Sequence, residues 1–352
     1  MATEKDQRSH PTGVLLVNTG TPASPAPHDV RAYLAKFLMD KRVAPMNRLV
    51  WWFILHLCIL PKRGKASGKK YEQIWTPDGS PFVLDHQVLA KALEARLENA
   101  GAHVMVRFAM SYSKPTVRHA MREMKKAGCE HLVVLPLYPQ SAYSTTLSVR
   151  DQVERARRRV HWHGAVDVID NYAEHPSYIK ALASSIRHAG FDHEAGDRLL
   201  FSYHSIPLSD IERGDTYELQ TGSTSLHVAD ELGLPRTSWT IAYHSRFDKS
   251  RTWLSPFSKD VLVRWAEVGG GRTFVVCPIF PIDCLETLYD VSSEFRRIYL
   301  ADLAKAGHPS DESRFVYVRA LGKSRAHVRV LADVIAPYLN DTAQNAKGEG
   351  KA

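Results

Sequence analysis

The chain has 352 residues, with 46 Lys+Arg, 38 Asp+Glu, 17 His and 4 Cys, and is 44% hydrophobic and 24% charged. This ordinary composition excludes a collagenous, disulfide-scaffold or wholly disordered chain and suits one large or two medium domains. The net charge of +8 permits contact with an anionic ligand or lipid but gives no reason to expect nucleic acid.

The start, MATEKDQRSHPTG, has no apolar core of a signal peptide, and no run of 18 apolar residues occurs, so a cytoplasmic location without a transmembrane helix is expected. Cys58, Cys129, Cys277 and Cys284 form no CxxC pair. Free thiols are expected, without a zinc knuckle or an iron–sulfur cluster.

In chain order, the first β-rich run covers 14–17 and leads into Asn18-Thr19-Gly20-Thr21-Pro22. One glycine there is too few for a dinucleotide fingerprint, and neither a Walker loop nor a G-x-S-x-G elbow occurs elsewhere. Residues 49–60 form an apolar stretch with two Trp, too short to span a bilayer. Five basic residues follow between 61 and 70. This pattern suits either a membrane interface or a buried helix or dimer contact. Residues 71–81 read as a loop.

Helical periodicity then appears at Leu89, Leu93 and Leu97, at Val117, Ala120, Met121 and Met124, and at Ile179, Leu182 and Ile186. A Gly ends each helix. Between them lie strands at 104–108, 132–135 and 166–169. A second set follows at 199–202, 239–243, 273–277 and 315–318. Alternating strands and helices predict parallel sheets covered on both faces.

The sets look duplicated. His131-Leu-Val-Val-Leu-Pro-Leu-Tyr-Pro139 aligns with Thr273-Phe-Val-Val-Cys-Pro-Ile-Phe-Pro281. The expected fold is α/β, with two similar Rossmann-like lobes, each a four-stranded parallel sheet flanked by helices. The lobes span 12–172 and 173–340, and the polar tail 341–352 is expected to be disordered.

Ligands of such sheets sit beyond the carboxyl ends of strands. His204 ends one strand, where it can accept a proton or ligate a metal, or merely bond to backbone in a turn. Beyond another strand end, Glu286, Asp290 and Glu294 recur every four residues and form one acidic stripe. Such a stripe costs stability unless cations pair with it. It can attract a divalent cation, relay protons, or be only a solvated face.

Seven segments in order resemble the ferrochelatase family. They are Val17-Asn-Thr-Gly-Thr-Pro22, Phe37-Leu-Met-Asp-Lys-Arg-Val43, Gly79-Ser-Pro81, Tyr138-Pro-Gln-Ser-Ala-Tyr-Ser-Thr-Thr146, Phe201-Ser-Tyr-His204-Ser-Ile-Pro207, His244-Ser-Arg-Phe247 with Trp253-Leu-Ser-Pro256, and Phe280-Pro-Ile-Asp283-Cys284-Leu-Glu286-Thr-Leu288. The resemblance implies a class II chelatase fold and insertion of Fe2+ into protoporphyrin IX, the last step of haem synthesis. Iron is a substrate, and no organic cofactor is implied. It gives His204 and Glu286 catalytic roles, with His204 either base or metal ligand. It places iron on His204, Glu286, Asp290 and Glu294, and the porphyrin on Thr19, Tyr112, Ser141 and Trp253. The apolar stretch then reads as a lip with peripheral contact to the inner face of the membrane, where Lys41, Arg42 and the basic run meet headgroups. Departures from the family pattern stand at Thr19, Ser111, Ser205, His244 and Cys284. Two alternatives stay open: a coproporphyrin III ferrochelatase, and a weakened paralogue that binds porphyrin or haem without metallating it.

Overall fold

The computed structural model describes residues 10–246 and 251–348, with backbone alone for 340–348. The start of the chain, Phe247 of the His244 segment and tail residues 349–352 lie outside the described residues. All eight expected strands form: β1 (Thr12–Asn18), β2 (Val104–Met110), β3 (His131–Pro136), β4 (Ala165–Val168), β5 (Arg198–His204), β6 (Trp239–His244), β7 (Thr273–Val276) and β8 (Phe315–Val318). They build two all-parallel sheets, ordered β2-β1-β3-β4 and β6-β5-β7-β8.

The central strands are apolar and buried along their length because helices cover both faces. Every residue of β1 and β7 is buried. Truncating one of these side chains, such as Leu15→Ala, costs about 2–5 kcal/mol.

The duplication extends further than the aligned strands. After β2, the Met110 amide returns to the Pro115 carbonyl at 2.7 Å, and after β6 the Tyr243 amide returns to the Pro256 carbonyl at 2.8 Å. After β3 and after β7 the chain enters a π-helical stretch, Tyr143–Leu147 and Glu286–Phe295. In both sheets the first strand is flanked by the second and the third. Connections therefore leave in opposite directions at β1/β3 and at β5/β7, the switch points where such sheets bind ligands.

Two expectations change. Residues 71–81 are not all loop: a helix runs Leu60–Ile74. Its Gly64 and Gly68 are packing positions. A Cβ on Gly68 would lie 2.9 Å from the Pro25 carbonyl oxygen, so only glycine lets this helix approach the start of helix Pro27–Leu38 so closely. The tail is also helical through Gly348, within helix Arg325–Gly348. A helix already nucleated by packing propagates cheaply through polar residues 341–347, which lie past Pro337 and before Gly348 and include no Gly or Pro. Though it belongs by sequence to the second expected lobe, that helix also reaches the first. It packs on Pro81–Asn99 and β3 of the first lobe. Val330, Leu331 and Ile335 join one apolar core that runs through both lobes.

Candidate active site

A cleft of about 560 Å³ opens between the lobes, within the usual range for small-molecule sites. Both switch points line it. From the first come Thr19, Gly20, Tyr112 and Tyr138, and from the second His204, Glu286 and Asp290.

In the first lobe, the Asn18 carboxamide accepts from the Thr19 amide at 2.8 Å, and Thr19 Oγ1 lies 2.6 Å from the Tyr138 hydroxyl. Asn18 is itself held by buried His86, 3.2 Å away. Gly20 has φ of 107°, and a Cβ there would sit 2.4 Å from Ser113 Oγ, so glycine is required at this turn. The Tyr112 and Ser148 hydroxyls both donate to Asp40 Oδ2, at 2.9 and 2.6 Å.

In the second lobe, β5 delivers His204 to the cleft and its backbone is held there. The Tyr217 hydroxyl donates to the His204 carbonyl at 2.9 Å. His204 Nδ1 is 2.7 Å from the Ser205 carbonyl oxygen. A carbonyl only accepts, so Nδ1 carries the proton, and the neutral ring presents its lone pair from Nε2. That Nε2 lies 4.0 Å from Glu286 Oε1. On the other side of the carboxylate, His244 Nε2 lies 3.7 Å from Oε2. Burial pushes the Glu286 carboxyl up, but His204, His244 and Lys70 outweigh it and hold the group below the ordinary range.

The acidic stripe is cation-paired. Lys70 donates to Asp290 at 2.6 Å and lies 3.6 Å from Glu294, which accepts from Lys259 at 2.6 Å. Burial raises Asp290 above its usual value despite Lys70. Glu294 is pushed up by burial but drawn below its usual value by Lys259 and Lys70. Neighbouring Asp283 is structural: it accepts from Thr287 at 2.9 Å, Tyr317 at 2.7 Å and Arg319 at 2.6 Å.

Several expected site residues meet in the cleft: Thr19, Tyr112, Trp253, His204, Glu286 and Asp290. Ser141 does not line it. It is buried, and its amide donates to Gln220 of the second lobe at 2.8 Å, while Ser144 and Thr145 face the cleft instead. Ser111 lines a separate cavity of about 230 Å³ with Arg118, Arg155 and Arg159. The expected four-residue iron set also divides. Among the described residues no three His, Cys, Asp or Glu side chains are grouped to hold a metal ion. Lysines pair with Asp290 and Glu294, whereas Glu286 faces His204. His244, singled out in the sequence only as a departure, packs directly behind this pair.

The apolar stretch is two-faced rather than apolar in one environment. Trp51, Leu55 and Leu60 are buried on Leu38 and Ala44, and the Trp51 ring N–H donates to the Leu38 carbonyl at 2.6 Å. Leu49, Val50, Phe53 and Leu57 are exposed. Leu34, Phe37 and Leu38, on the helix beneath, line the cleft. Not all the basic residues nearby are free for a headgroup: Arg42 pairs with Asp151 and Lys70 with the acidic stripe. Lys62, Lys65 and Lys69 remain exposed. Among the described residues no helix is long and apolar enough to cross a membrane.

Paired parallel-sheet lobes around a cleft that holds His204 and Glu286 define a two-lobed α/β protein with a ligand site between its sheets. The structure of SirB from Bacillus subtilis with Fe3+ superposes over 96% of this chain and 98% of its own, with a TM-score of 0.55 and 14% identity, which speaks for the fold alone. The sirohydrochlorin chelatase SirB from Bacillus subtilis subspecies spizizenii, in complex with cobalt, gives a TM-score of 0.50 over 96% of this chain and 97% of its own at 14% identity. The family is fixed by sequence. The ferrochelatase family model matches residues 11–339. A ferrochelatase from Nitrosococcus oceani is 36% identical over 96% of this chain and 90% of its own, and one from Aeromonas hydrophila is 38% identical over 93% and 98%. The chain belongs to the ferrochelatase family, which inserts metal into porphyrin.

Proposed function

We propose that this chain inserts ferrous iron into protoporphyrin IX, the last step of haem synthesis. The observation that carries the choice of porphyrin is the apolar lip: its buried face packs on the helix whose Leu34, Phe37 and Leu38 line the cleft. An apolar entrance suits a macrocycle with few carboxylates. Iron enters as substrate, and the reading needs no organic cofactor and no iron–sulfur cluster.

Insertion releases two pyrrole protons as Fe2+ replaces them on the four ring nitrogens. His204 presents an Nε2 lone pair to the cleft and acts as proton acceptor or transient iron ligand. Glu286, held ionised by its neighbours, stabilises the cation that forms on His204 or the arriving metal. Asp290 and Glu294, with their lysines, form the route by which iron or protons reach this pair. Thr19, Tyr112 and Trp253 position the macrocycle. A bent macrocycle exposes its lone pairs, and contacts across the cleft offset that strain.

A second reading, coproporphyrin III as substrate, is favoured by the cleft-lining cations Arg63, Arg246 and Arg251, which suit a porphyrin with more carboxylates. Anaerobic Fe2+ with each porphyrin at equal concentration separates the two. Catalytic loss of porphyrin fluorescence with a haem spectrum is expected first for protoporphyrin IX. Faster turnover of coproporphyrin III reverses the choice, and stoichiometric binding without turnover supports a binding protein instead.

The exposed lip face and Lys62, Lys65 and Lys69 support a peripheral position on a membrane's inner face, reached from the cytoplasm. Co-sedimentation with anionic vesicles tests this. Leu49→Ser with Leu57→Ser should abolish it, and binding that survives both changes removes the lip from this role.

A further inference from the structure

His204 and His244 end adjacent strands at matched register and flank one carboxylate. The mechanism above uses His204 alone. His244 is 4% exposed, and its Nε2 and Glu286 Oε2 are both buried without a hydrogen-bond partner, facing each other across 3.7 Å. Its other nitrogen, Nδ1, lies 2.8 Å from Ser202 Oγ, which lies 2.7 Å from Ser258 Oγ. All three side chains are buried.

Each hydroxyl has one proton to donate. If Nδ1 held the ring proton, His244 Nε2 and Glu286 Oε2, both buried, would set two lone pairs against each other, which is costly. In the opposite arrangement every group is served: Ser258 donates to Ser202, Ser202 donates to Nδ1, and Nε2–H faces the carboxylate. Such a chain of hydrogen bonds, ending on a negative charge, is mutually reinforcing.

We infer that His244 is a positioning residue for Glu286: its Nε2–H holds Oε2 from behind and leaves Oε1 turned to His204 and the cleft. The two histidines thus carry opposite tautomers, a donor behind the carboxylate and a lone pair before it. The inference rests on the reading that Glu286 takes part in metal insertion.

Nitrogen-15 NMR of the ring nitrogens, on substrate-free protein at mildly alkaline pH, tests the tautomers without turnover. His244 should show a protonated Nε2 and an unprotonated Nδ1, and His204 the reverse. Ser202→Ala should erase the His244 pattern. A protonated Nδ1 on His244 overturns the inference. In kinetics, His244→Leu should lower kcat by roughly ten- to a hundred-fold with KM within about two-fold, as loss of orientation does. His244→Gln, whose amide N–H can reach the same place, should restore kcat to within about three-fold of the parent. Unchanged kcat in His244→Leu, or no rescue by Gln in a folded protein, also overturns it. If His244→Leu does not fold, the tautomer measurement on the parent chain decides. Failure of the proposed function shows separately, as absence of turnover in the parent chain.

Discussion

At the end of β1, Thr19 Oγ1 and the Tyr138 hydroxyl meet at 2.6 Å, and the pair carries no charge. At the equivalent end of β5, His204 lies 4.0 Å from Glu286, with His244 behind. Strand order, chain return and π-helical stretch repeat between the lobes, while the chemistry at the switch points does not. The fold sets where a ligand lies, and a few side chains at two strand ends decide which wall holds it and which reacts. The neutral wall should therefore govern binding and the ionisable wall turnover.

The sharpest way to break this comparison is at the ionisable wall. Glu286→Gln and His204→Ala should each lower kcat for metal insertion by about 10²–10⁴-fold, with porphyrin binding retained in a fluorescence titration. Near-normal kcat in either variant would move the chemistry elsewhere.

Acid titration comes next. Buried His86 and His327 are both pushed down to about 4 by burial. Their folded values lie below the unfolded value of about 6.5, so the unfolded chain binds more protons between those limits. Their contribution is complete above about pH 6.5 and fades as pH falls towards 4, by about 3 kcal/mol each. Glu286 adds a loss at lower pH: its depressed value stabilises the fold above the unfolded carboxyl value, and this fades as pH falls through the folded one. Urea melts at a series of pH values should show this slope, and His86→Gln should roughly halve it between pH 6.5 and 4.

At the neutral wall, Thr19→Val removes the bond to Tyr138 and should cost about 1 kcal/mol in a urea melt. It should raise the KM for porphyrin while kcat changes less than about three-fold. A large fall in kcat would mean that both walls react. The smallest effect is expected at Ser141. Ser141→Ala keeps the amide bonded to Gln220, so stability should stay within about 0.5 kcal/mol and KM should not move.

The strands were legible because buried parallel strands are continuous apolar runs, and the duplicated Pro-hydrophobe-aromatic-Pro segments marked equivalent places in both lobes. His204 and Glu286 were legible because strand ends are where such sheets work. What sequence spacing could not provide is the partner of each charge. The carboxylates of the acidic stripe looked free for metal, yet Lys70 reaches Asp290 from 220 residues away. Ser141 looked like a cleft residue, and its orientation is set by Gln220 in the other lobe. His244 needed β5 and β6 to be placed side by side before its position behind Glu286 meant anything. The stripe itself survives the change of helix type, because a π-helix, with its wider turn, still brings residues four apart to one side.

The return of helix Arg325–Gly348 to the first lobe bears on how the chain matures during synthesis. Domains that emerge first usually fold first on the ribosome. Here the nascent first lobe has its sheet and most of its helices but not the segment that covers Pro81–Asn99. That apolar surface stays open until Val330, Leu331 and Ile335 are made, long after the first sheet is complete. A chain released early would carry two nearly complete lobes and an exposed seam, the kind of surface that holdase chaperones bind.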